Sequence, residues 1–474
     1  MQHIILQVRP LCKINALGLV LPTRFFMYNN YMNIIQEFDT ITAIATPIGT
    51  GGVGVIRISG DESYNIASKI FSGKIETGKI SHGWILDNQI KIDEVILLAF
   101  KNPNSYTGED VIEIQCHGGI NVVRNILDLV IKNGARMAER GEFTKRAFLN
   151  KKLDLSQAEA VGDLIHAKTQ QFAVQSAKNL SGVLAQKVTE IKAQIFEVLS
   201  KIIAGIDFPE DVVEPEYSYL VDSFENSLSE INKILSCTKS SDILRQGVKV
   251  AIVGKPNVGK SSLFNKLLNI ERAIVTDIAG TTRDVLKETL DMDVAVTLID
   301  TAGIRDSQDV DKVEEIGIEY SKQSVDEADL ILFLYNAETG LQEDDKQIYE
   351  LIKNKNHIIV ANKCDLTQHR NDKHLFISTF TNEGIENLRN KIKEIVCDFS
   401  LEDTEFITNK RQQNCLMKCK ESLLQALYAA QNKELQDLIS IDVKSALLYL
   451  DEITGEVITD DILNNIFDHF CIGK

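Results

Sequence analysis

A glycine-rich loop in the middle of the chain most constrains its fold. The β-branched run 248–253 leads into Gly254-Lys-Pro-Asn-Val-Gly259-Lys260-Ser261-Ser262, and the apolar helical pattern 263–268 follows at once. Strand, G-x-x-x-x-G-K-S and helix in this order are typical of a loop whose backbone N–H groups surround phosphates. We expect Lys260 to reach the β- and γ-phosphates and the Ser261 hydroxyl to ligate Mg²⁺.

The end of a second apolar run carries an acidic motif. Asp300-Thr301-Ala302-Gly303 follows residues 294–299. A carboxylate at this strand end can contact Mg²⁺ through water, and the N–H of Gly303 can meet the γ-phosphate. The motif predicts a nucleoside triphosphate as the ligand.

A third run determines which base is bound. Asn362-Lys363-Cys364-Asp365 follows the apolar residues 357–361. The Asp365 carboxylate can accept hydrogen bonds from both N1–H and the 2-amino group of guanine, and adenine offers no such pair. GTP and GDP are therefore the predicted ligands.

Between these motifs, Gly280-Thr281-Thr282-Arg283-Asp284 is expected to move and to supply Thr282 to Mg²⁺. We predict Lys260, Asp300 and one glutamate as catalytic. The remaining predicted GTP-binding residues surround these motifs: Asn257, Val258, Gly259, Ser261, Ser262, Thr276, Asp277, Ile278, Ala279, Gly280, Thr281, Thr282, Thr301, Ala302, Gly303, Asn362, Lys363, Asp365, Ser378, Thr379 and Phe380.

The hydrophobic periodicity of the remaining sequence predicts separate domains. Short β-rich runs at 41–45, 54–58, 94–100 and 111–116, with a helical pattern at 121–132, predict a compact α+β domain. Long amphipathic helices follow from 143 to 206, stop near Pro209 and Pro215, and resume at 219–235 and 410–470. We predict an α+β domain at 32–150, helical segments at 151–245 and 401–474, and an inserted nucleotide-binding α/β domain at 246–400.

The composition of the chain limits its possible partners and its cellular location. The 474 residues carry 51 basic and 68 acidic side chains, a net charge of −17, which argues against indiscriminate nucleic-acid binding. No apolar run reaches the ~18–20 residues of a membrane span. Among the eight cysteines, Cys415 and Cys419 have the spacing of small apolar side chains on one helix face rather than of a zinc site. We expect free thiols and a cytoplasmic location.

Residues 1–31 contain Arg9, Lys13 and Arg24 and no acidic residue. A basic, acid-poor start is typical of a mitochondrial presequence. The alternative is that translation begins at Met32, which we favour.

Several segments resemble one known family. The nucleotide-binding motifs resemble the Era/EngA/TrmE branch of the translation-factor GTPases. The segments Gly51-Gly-Val-Gly-Val-Ile-Arg57, Ser105-Tyr-Thr-Gly-Glu-Asp, Glu113-Ile-Gln-Cys-His-Gly-Gly, Gly141-Glu-Phe-Thr-Lys-Arg-Ala-Phe-Leu-Asn and the terminal Cys471-Ile-Gly-Lys474 resemble the MnmE (TrmE) family of tRNA modification GTPases. The resemblance extends from Asp39 to Lys474.

The resemblance implies a function that residue spacing alone does not. Members act with the flavoprotein MnmG (GidA) and add an aminomethyl or carboxymethylaminomethyl group to C5 of the wobble uridine of certain tRNAs. The N-terminal domain has a folate-binding fold and forms a homodimer. By the resemblance, Arg57, Glu113, Lys152 and Lys474 contact 5-formyl- or methylene-tetrahydrofolate. From the residues alone, ordinary surface ion pairs are the alternative.

The hydrolytic group is also inferred from the resemblance. Ile304 follows Gly303 and cannot polarise water, so the water-positioning group must come from elsewhere. The family pattern favours Glu314, with the adjacent Glu315 as the alternative. A K⁺ ion, bound where two nucleotide-binding domains dimerise, is implied in place of an arginine finger. Its ligands would be Asn257, Thr276, Ile278 and Thr281.

Other interpretations stay open. Cys471 has either a chemical role near the folate or a structural one, and its C-terminal box is a poor prenylation signal because Lys474 ends it. A regulatory ribosome-assembly GTPase would share the motifs, but it should carry an RNA-binding domain such as a KH fold, which the flanking patterns do not suggest. A one-carbon enzyme with an incidental switch domain is the third hypothesis.

Overall fold

A computed structural model describes residues 39–270, 287–292, 294–300, 325–397 and 408–474. The chain separates into two compact units. The first runs to Glu139 and also includes Ile472–Lys474, and the second is Arg140–Cys471. The predicted fold class, a multidomain chain with α+β, all-α and nucleotide-binding α/β parts, is confirmed.

The first unit is a six-stranded sheet with two helices on one face. Its strands, in the spatial order β3-β4-β5-β2-β1-β6, are β1 (Ile41–Ile44), β2 (Val53–Ser59), β3 (Ile80–Asp87), β4 (Ile90–Phe100), β5 (Val111–His117) and β6 (Arg136–Met137). The helices are α1 (Ser63–Ile70) and α2 (Ile120–Lys132). Alternate apolar residues of the strands, such as Ile56, Ile58 and Ile114, are buried in one core with the inward residues of both helices.

The second unit begins with a chain of helices. These are α3 (Glu142–Leu149), α4 (Leu155–Ile165), α5 (Gln170–Leu180), α6 (Val183–Asp207), α7 (Tyr217–Ser236) and α8 (Thr238–Gln246). The predicted break is confirmed, because Pro209 and Pro215 lie between α6 and α7.

A mostly parallel sheet follows, in the spatial order β12-β11-β10-β7-β9-β8. Its strands are β7 (Val248–Gly254), β8 (Lys287–Asp291), β9 (Ala295–Asp300), β10 (Leu330–Asn336), β11 (His357–Asn362) and β12 (Leu375–Phe376). Within this part lie α9 (Lys260–Ile270), α10 (Glu343–Ile352) and α11 (Ile385–Cys397). Among the described strands of this sheet, only β8 runs antiparallel to its neighbour. The strand ends of β7 and β11 therefore meet at one sheet edge.

Three more helices end the unit: α12 (Lys410–Gln431), α13 (Gln436–Thr454) and α14 (Asp460–Phe467). α12 and α13 share a core with α6 and α7, centred on side chains such as Phe224, Ile195 and Leu423. Cys415 and Cys419 are buried in that core, as their spacing predicts. No helix in the described ranges is long and apolar enough to cross a membrane.

Candidate nucleotide-binding site

The phosphate-binding loop connects β7 to α9 through two glycines that no other residue can replace without displacement. A Cβ on Gly254 would lie 2.2 Å from the Leu334 carbonyl oxygen, and one on Gly259 would lie 2.2 Å from Nδ2 of Asn362. Asn257 has φ 63°, a left-handed conformation that asparagine tolerates. The loop is thus a tight turn at the edge of the sheet.

Lys260 lies inside this loop. Its Nζ donates hydrogen bonds to the carbonyl oxygens of Gly254 at 2.7 Å and Lys255 at 2.9 Å. Ser261 and Ser262 follow in the first turn of α9 and are exposed. The helix N-terminus and the ammonium group together create positive potential where phosphates are predicted.

Lys255 is a loop residue that the sequence motifs did not predict to be important. It forms ion pairs with two aspartates at the start of α10. Its Nζ lies 3.1 Å from Oδ2 of Asp344 and 3.5 Å from Oδ2 of the buried Asp345. Asp345 also accepts a hydrogen bond from the backbone N–H of Gln342, within the capping box that starts α10. The capping-box spacing could have predicted the helix start, but not the contact with the loop.

The guanine motif is joined to the phosphate loop by Asn362. Its buried amide donates from Nδ2 to the Val258 carbonyl oxygen at 2.8 Å and accepts from the Thr379 N–H at 3.2 Å. Three predicted segments, around residues 258, 362 and 379, therefore lie together. Asp365 and Phe380 are exposed beside them. Burial raises the pKa of the Cys364 thiol, so this cysteine packs as a neutral group.

Asp300 lies at the same sheet edge by its backbone. β9 ends at Asp300, which pairs with Ile252, two residues before Gly254. The exposed Ser261 hydroxyl is a hard oxygen donor of the kind that suits Mg²⁺. The predicted residues within 276–282 and 301–303, together with Glu314, lie outside the described residues. Within the described residues, no cluster of three or more His, Cys, Asp or Glu side chains forms a candidate metal site.

In the first unit, two predicted folate residues are brought together. Arg57 on β2 and Glu113 on β5 are register partners, and Nε of Arg57 donates to Oε1 of Glu113 at 2.8 Å. The Arg57 guanidinium also lies 5.4 Å from the ring centroid of Tyr106, a contact not anticipated from the sequence. Here the two charged groups neutralise each other.

The other predicted folate residues divide between the units. Ile472–Lys474 belong to the first unit, where Gly473 lies against the Ile44 carbonyl oxygen at the end of β1. Lys152 belongs to the second unit, in the turn after α3, and its N–H donates to the Ala147 carbonyl oxygen at 2.8 Å. Cys471 is exposed.

Comparison with known proteins places the whole arrangement in one family. The model of the GTP-binding protein TrmE N-terminus matches residues 40–152, and that of the MnmE helical domain matches 155–471. The tRNA modification GTPase MnmE of Thermoanaerobacter pseudethanolicus is 44% identical over 460 residues, covering 92% of this chain and all of that protein. The protein of the same name from Caldicellulosiruptor saccharolyticus is 45% identical over 459 residues, covering 93% of this chain and 100% of the relative.

Among solved structures, Aquifex aeolicus Era bound to GDP and AlF4⁻ matches with 29% identity and a TM-score of 0.27. That match covers 37% of this chain and 67% of Era. The family models and the full-length relatives together show that this chain belongs to the MnmE (TrmE) family of tRNA modification GTPases.

Proposed function

We propose that the chain hydrolyses GTP to GDP and phosphate within a cytoplasmic complex that modifies tRNA. The reaction adds a carboxymethylaminomethyl or aminomethyl group to C5 of the wobble uridine, together with an MnmG-type flavoprotein. The observation that carries this proposal is the contact of Asn362 with Val258. It joins the guanine motif to the phosphate loop within a chain that matches its relatives over their full length.

In this proposal, the loop binds the phosphates through its N–H groups, and Lys260 releases the loop carbonyls to contact the β- and γ-phosphate oxygens. Ser261 and Thr282 would hold Mg²⁺, and Asp300 would contact it through water. Such an ion would supply positive charge that offsets the negative charge of the phosphates. Asp365 receives the guanine N1–H and 2-amino groups.

Glu314 would orient the attacking water, and a K⁺ ion would supply positive charge near the β–γ bridge. Asn257 supports the K⁺ hypothesis, because its side chain is exposed on the loop in a left-handed turn. The other K⁺ ligands would be Thr276, Ile278 and Thr281. The K⁺ site would be completed when two nucleotide-binding domains form a dimer.

The one-carbon group comes from a tetrahydrofolate held by the first unit, which forms the homodimer. Arg57 suits the glutamyl carboxylates and Glu113 the pterin N–H edge. Their mutual ion pair positions both side chains, and ligand binding would exchange that pair for contacts with folate.

The K⁺ hypothesis is tested by GTP turnover of the purified protein in KCl and in NaCl. We expect hydrolysis to be faster in KCl by about tenfold or more, up to the roughly 100-fold effect of one electrostatic donor in an active site. Asn257→Ala should remove most of this difference while GDP still binds. Equal rates in the two salts would contradict the hypothesis.

The modification is tested by nucleoside analysis of tRNA from cells that lack the gene. We expect the modified wobble uridine to disappear and to return with the wild-type gene but not with Lys260→Ala. Unchanged nucleosides combined with a ribosome-assembly defect would instead favour the regulatory GTPase.

A further inference from the structure

Helix α4 forms ion pairs with both segments that link the nucleotide-binding part to the helices, one before β7 and one at the start of α12. On the entering side, only Gly247 separates the end of α8 from the start of β7. Arg245, near the end of α8, forms an ion pair with Asp163 on α4. Leu244 packs on Phe172 of α5 beneath this pair. The entry to β7 is therefore held against α4 and α5.

On the leaving side, α12 begins at Lys410, and its second residue is bound to the same helix. Arg411 donates from Nε and NH2 to the two carboxylate oxygens of Glu159 at 2.8 and 2.7 Å. Gln412 donates to the same carboxylate at 2.6 Å. A bidentate guanidinium–carboxylate pair fixes orientation as well as distance.

Glu159 and Asp163 are four residues apart, so they lie on one face of α4. The two connections are also bound to each other. The Thr408 N–H donates to the Ser241 hydroxyl at 3.2 Å, and Asp242 accepts from Lys410 at 2.6 Å. The end of α8, the start of α12 and α4 are thus connected by one set of hydrogen bonds and ion pairs.

The burial of these carboxylates indicates that they fix the positions of the helices they join. The side chains of Asp163 and Glu159 retain only 13% and 8% of their exposure. Buried ion pairs contribute little net stability, because desolvation offsets their attraction, but removing one partner is costly. A pair of this kind resists any movement that separates its members.

The N-terminal end of α4 adjoins the turn that contains Lys152. Asp154 caps the helix in a reciprocal capping box with Gln157. Lys152, a proposed folate contact, is two residues earlier, in a turn bonded to the end of α3. Displacement of α4 along its axis would therefore displace the Lys152 turn.

We propose that Glu159 and Asp163 are positioning residues that transmit the nucleotide state to the Lys152 turn through α4. The consequence for tRNA modification rests on the proposed function. The mechanical coupling itself requires only that the chain binds guanine nucleotides.

Hydrogen exchange of the full-length protein tests the coupling directly. Amide exchange in residues 155–165 is compared with GDP and with a nonhydrolysable GTP analogue bound. In the wild type, we expect the exchange rates to differ about fivefold or more, the lower end of common coupling effects. In the double variant Glu159→Gln/Asp163→Asn, this difference should disappear, while amides of the phosphate loop still respond to nucleotide.

Two control variants separate coupling from general destabilisation. Glu230→Gln breaks a less buried ion pair with Lys187, between α6 and α7 and away from both connections. Arg245→Lys keeps the positive charge opposite Asp163. Both variants should retain the response of residues 155–165. An α4 that ignores nucleotide in the wild type, or a double variant with the full response, would overturn the proposal.

The functional readout is wobble-uridine modification beside GTP turnover. In the double variant, we expect modification to fall about tenfold, with GTP turnover within about twofold of the wild-type rate. Normal modification in this variant would also overturn the inference. If wild-type cells and deletion cells have the same nucleosides, the proposed function fails instead, and the exchange experiment still decides the coupling.

Discussion

At Gly259, the phosphate loop lies close to the guanine motif, which is distant in sequence. The φ of 99° at this glycine is a left-handed conformation, and its missing Cβ leaves room for the Asn362 amide. Asn362 in turn is fully buried and bonded to both Val258 and Thr379. A side chain at 259 would therefore disturb the phosphate loop and the guanine motif together.

We expect Gly259→Ala to weaken GDP binding by about tenfold or more. The left-handed backbone alone costs an L-residue roughly 1–2 kcal/mol, and the Cβ would also push Asn362 from its place. Fluorescent-nucleotide titration measures the change. Gly340→Ala is the matched control, because Gly340 has φ 66° and open space around its Cβ position. Equal losses in both variants would contradict the role of crowding.

Asp163 is the titratable residue with a clear consequence for pH. Burial raises the pKa of its carboxyl from 3.8 to about 6, against the opposing effect of Arg245. Between these two values the folded chain keeps a proton that the unfolded chain has lost. The contribution of this carboxyl to the free energy of unfolding therefore falls as pH rises through the window, and it stays low above pH 6.

Asp163→Asn should remove this pH dependence. The difference in free energy of unfolding between variant and wild type should shift in favour of the variant by roughly 2 kcal/mol from pH 4 to pH 7, because one pKa unit corresponds to about 1.4 kcal/mol and part of the shift already acts at pH 4. Denaturant unfolding of both proteins at several pH values measures the gap. A gap that is constant with pH would show that the carboxyl titrates normally.

At the level of elements, helical periodicity is the most dependable signal in this chain. Helices α6, α7, α12 and α13 bury residues at three- and four-residue spacing, such as Ile191, Ile195 and Val198. By contrast, β3 was not predicted. Only Ser81 and Ile85 of that strand are buried, and its pairing with β4 shifts register between Ile85 and Leu86, so no clean alternation exists.

The start of α4 provides an element-scale prediction. Asp154→Ala removes a side-chain acceptor for the Gln157 N–H and should lower the free energy of unfolding by about 1 kcal/mol. Asp154→Ser, which retains a capping oxygen, should lose only part of this free energy of unfolding. Denaturant titration compares the two. If alanine and serine behave alike, the capping hydrogen bond does not stabilise α4.

At the level of the whole molecule, the C-terminal residues return to the first unit. Gly473 has φ 98°, and a Cβ there would lie 2.3 Å from the Ile44 carbonyl oxygen. This contact places Lys474 in the same unit as Arg57 and Glu113. The arrangement supports the proposed folate role of Lys474, which family resemblance alone suggested.

Gly473→Ala should therefore weaken 5-formyl-tetrahydrofolate binding while GDP binding is unchanged. Strain of about 1–2 kcal/mol corresponds to a factor of about 5–30. Calorimetric titration measures both ligands. Gly78→Ala is the control in the same unit, with φ 73° and open space around the Cβ position. Undiminished folate affinity in Gly473→Ala would exclude a contribution from the tail.

The sequence by itself determined the nucleotide motifs, the helical segments and the family. These signals are local: the loop from Gly254 to Ser262 and the spacing of apolar residues are set by backbone geometry within a few positions. Only the tertiary structure decided which distant groups meet. The contact of Asn362 with Val258, the pairing of Arg57 with Glu113, and the attachment of Arg245 and Arg411 to α4 join residues far apart in the chain. Such contacts depend on how whole elements pack, which no local pattern encodes.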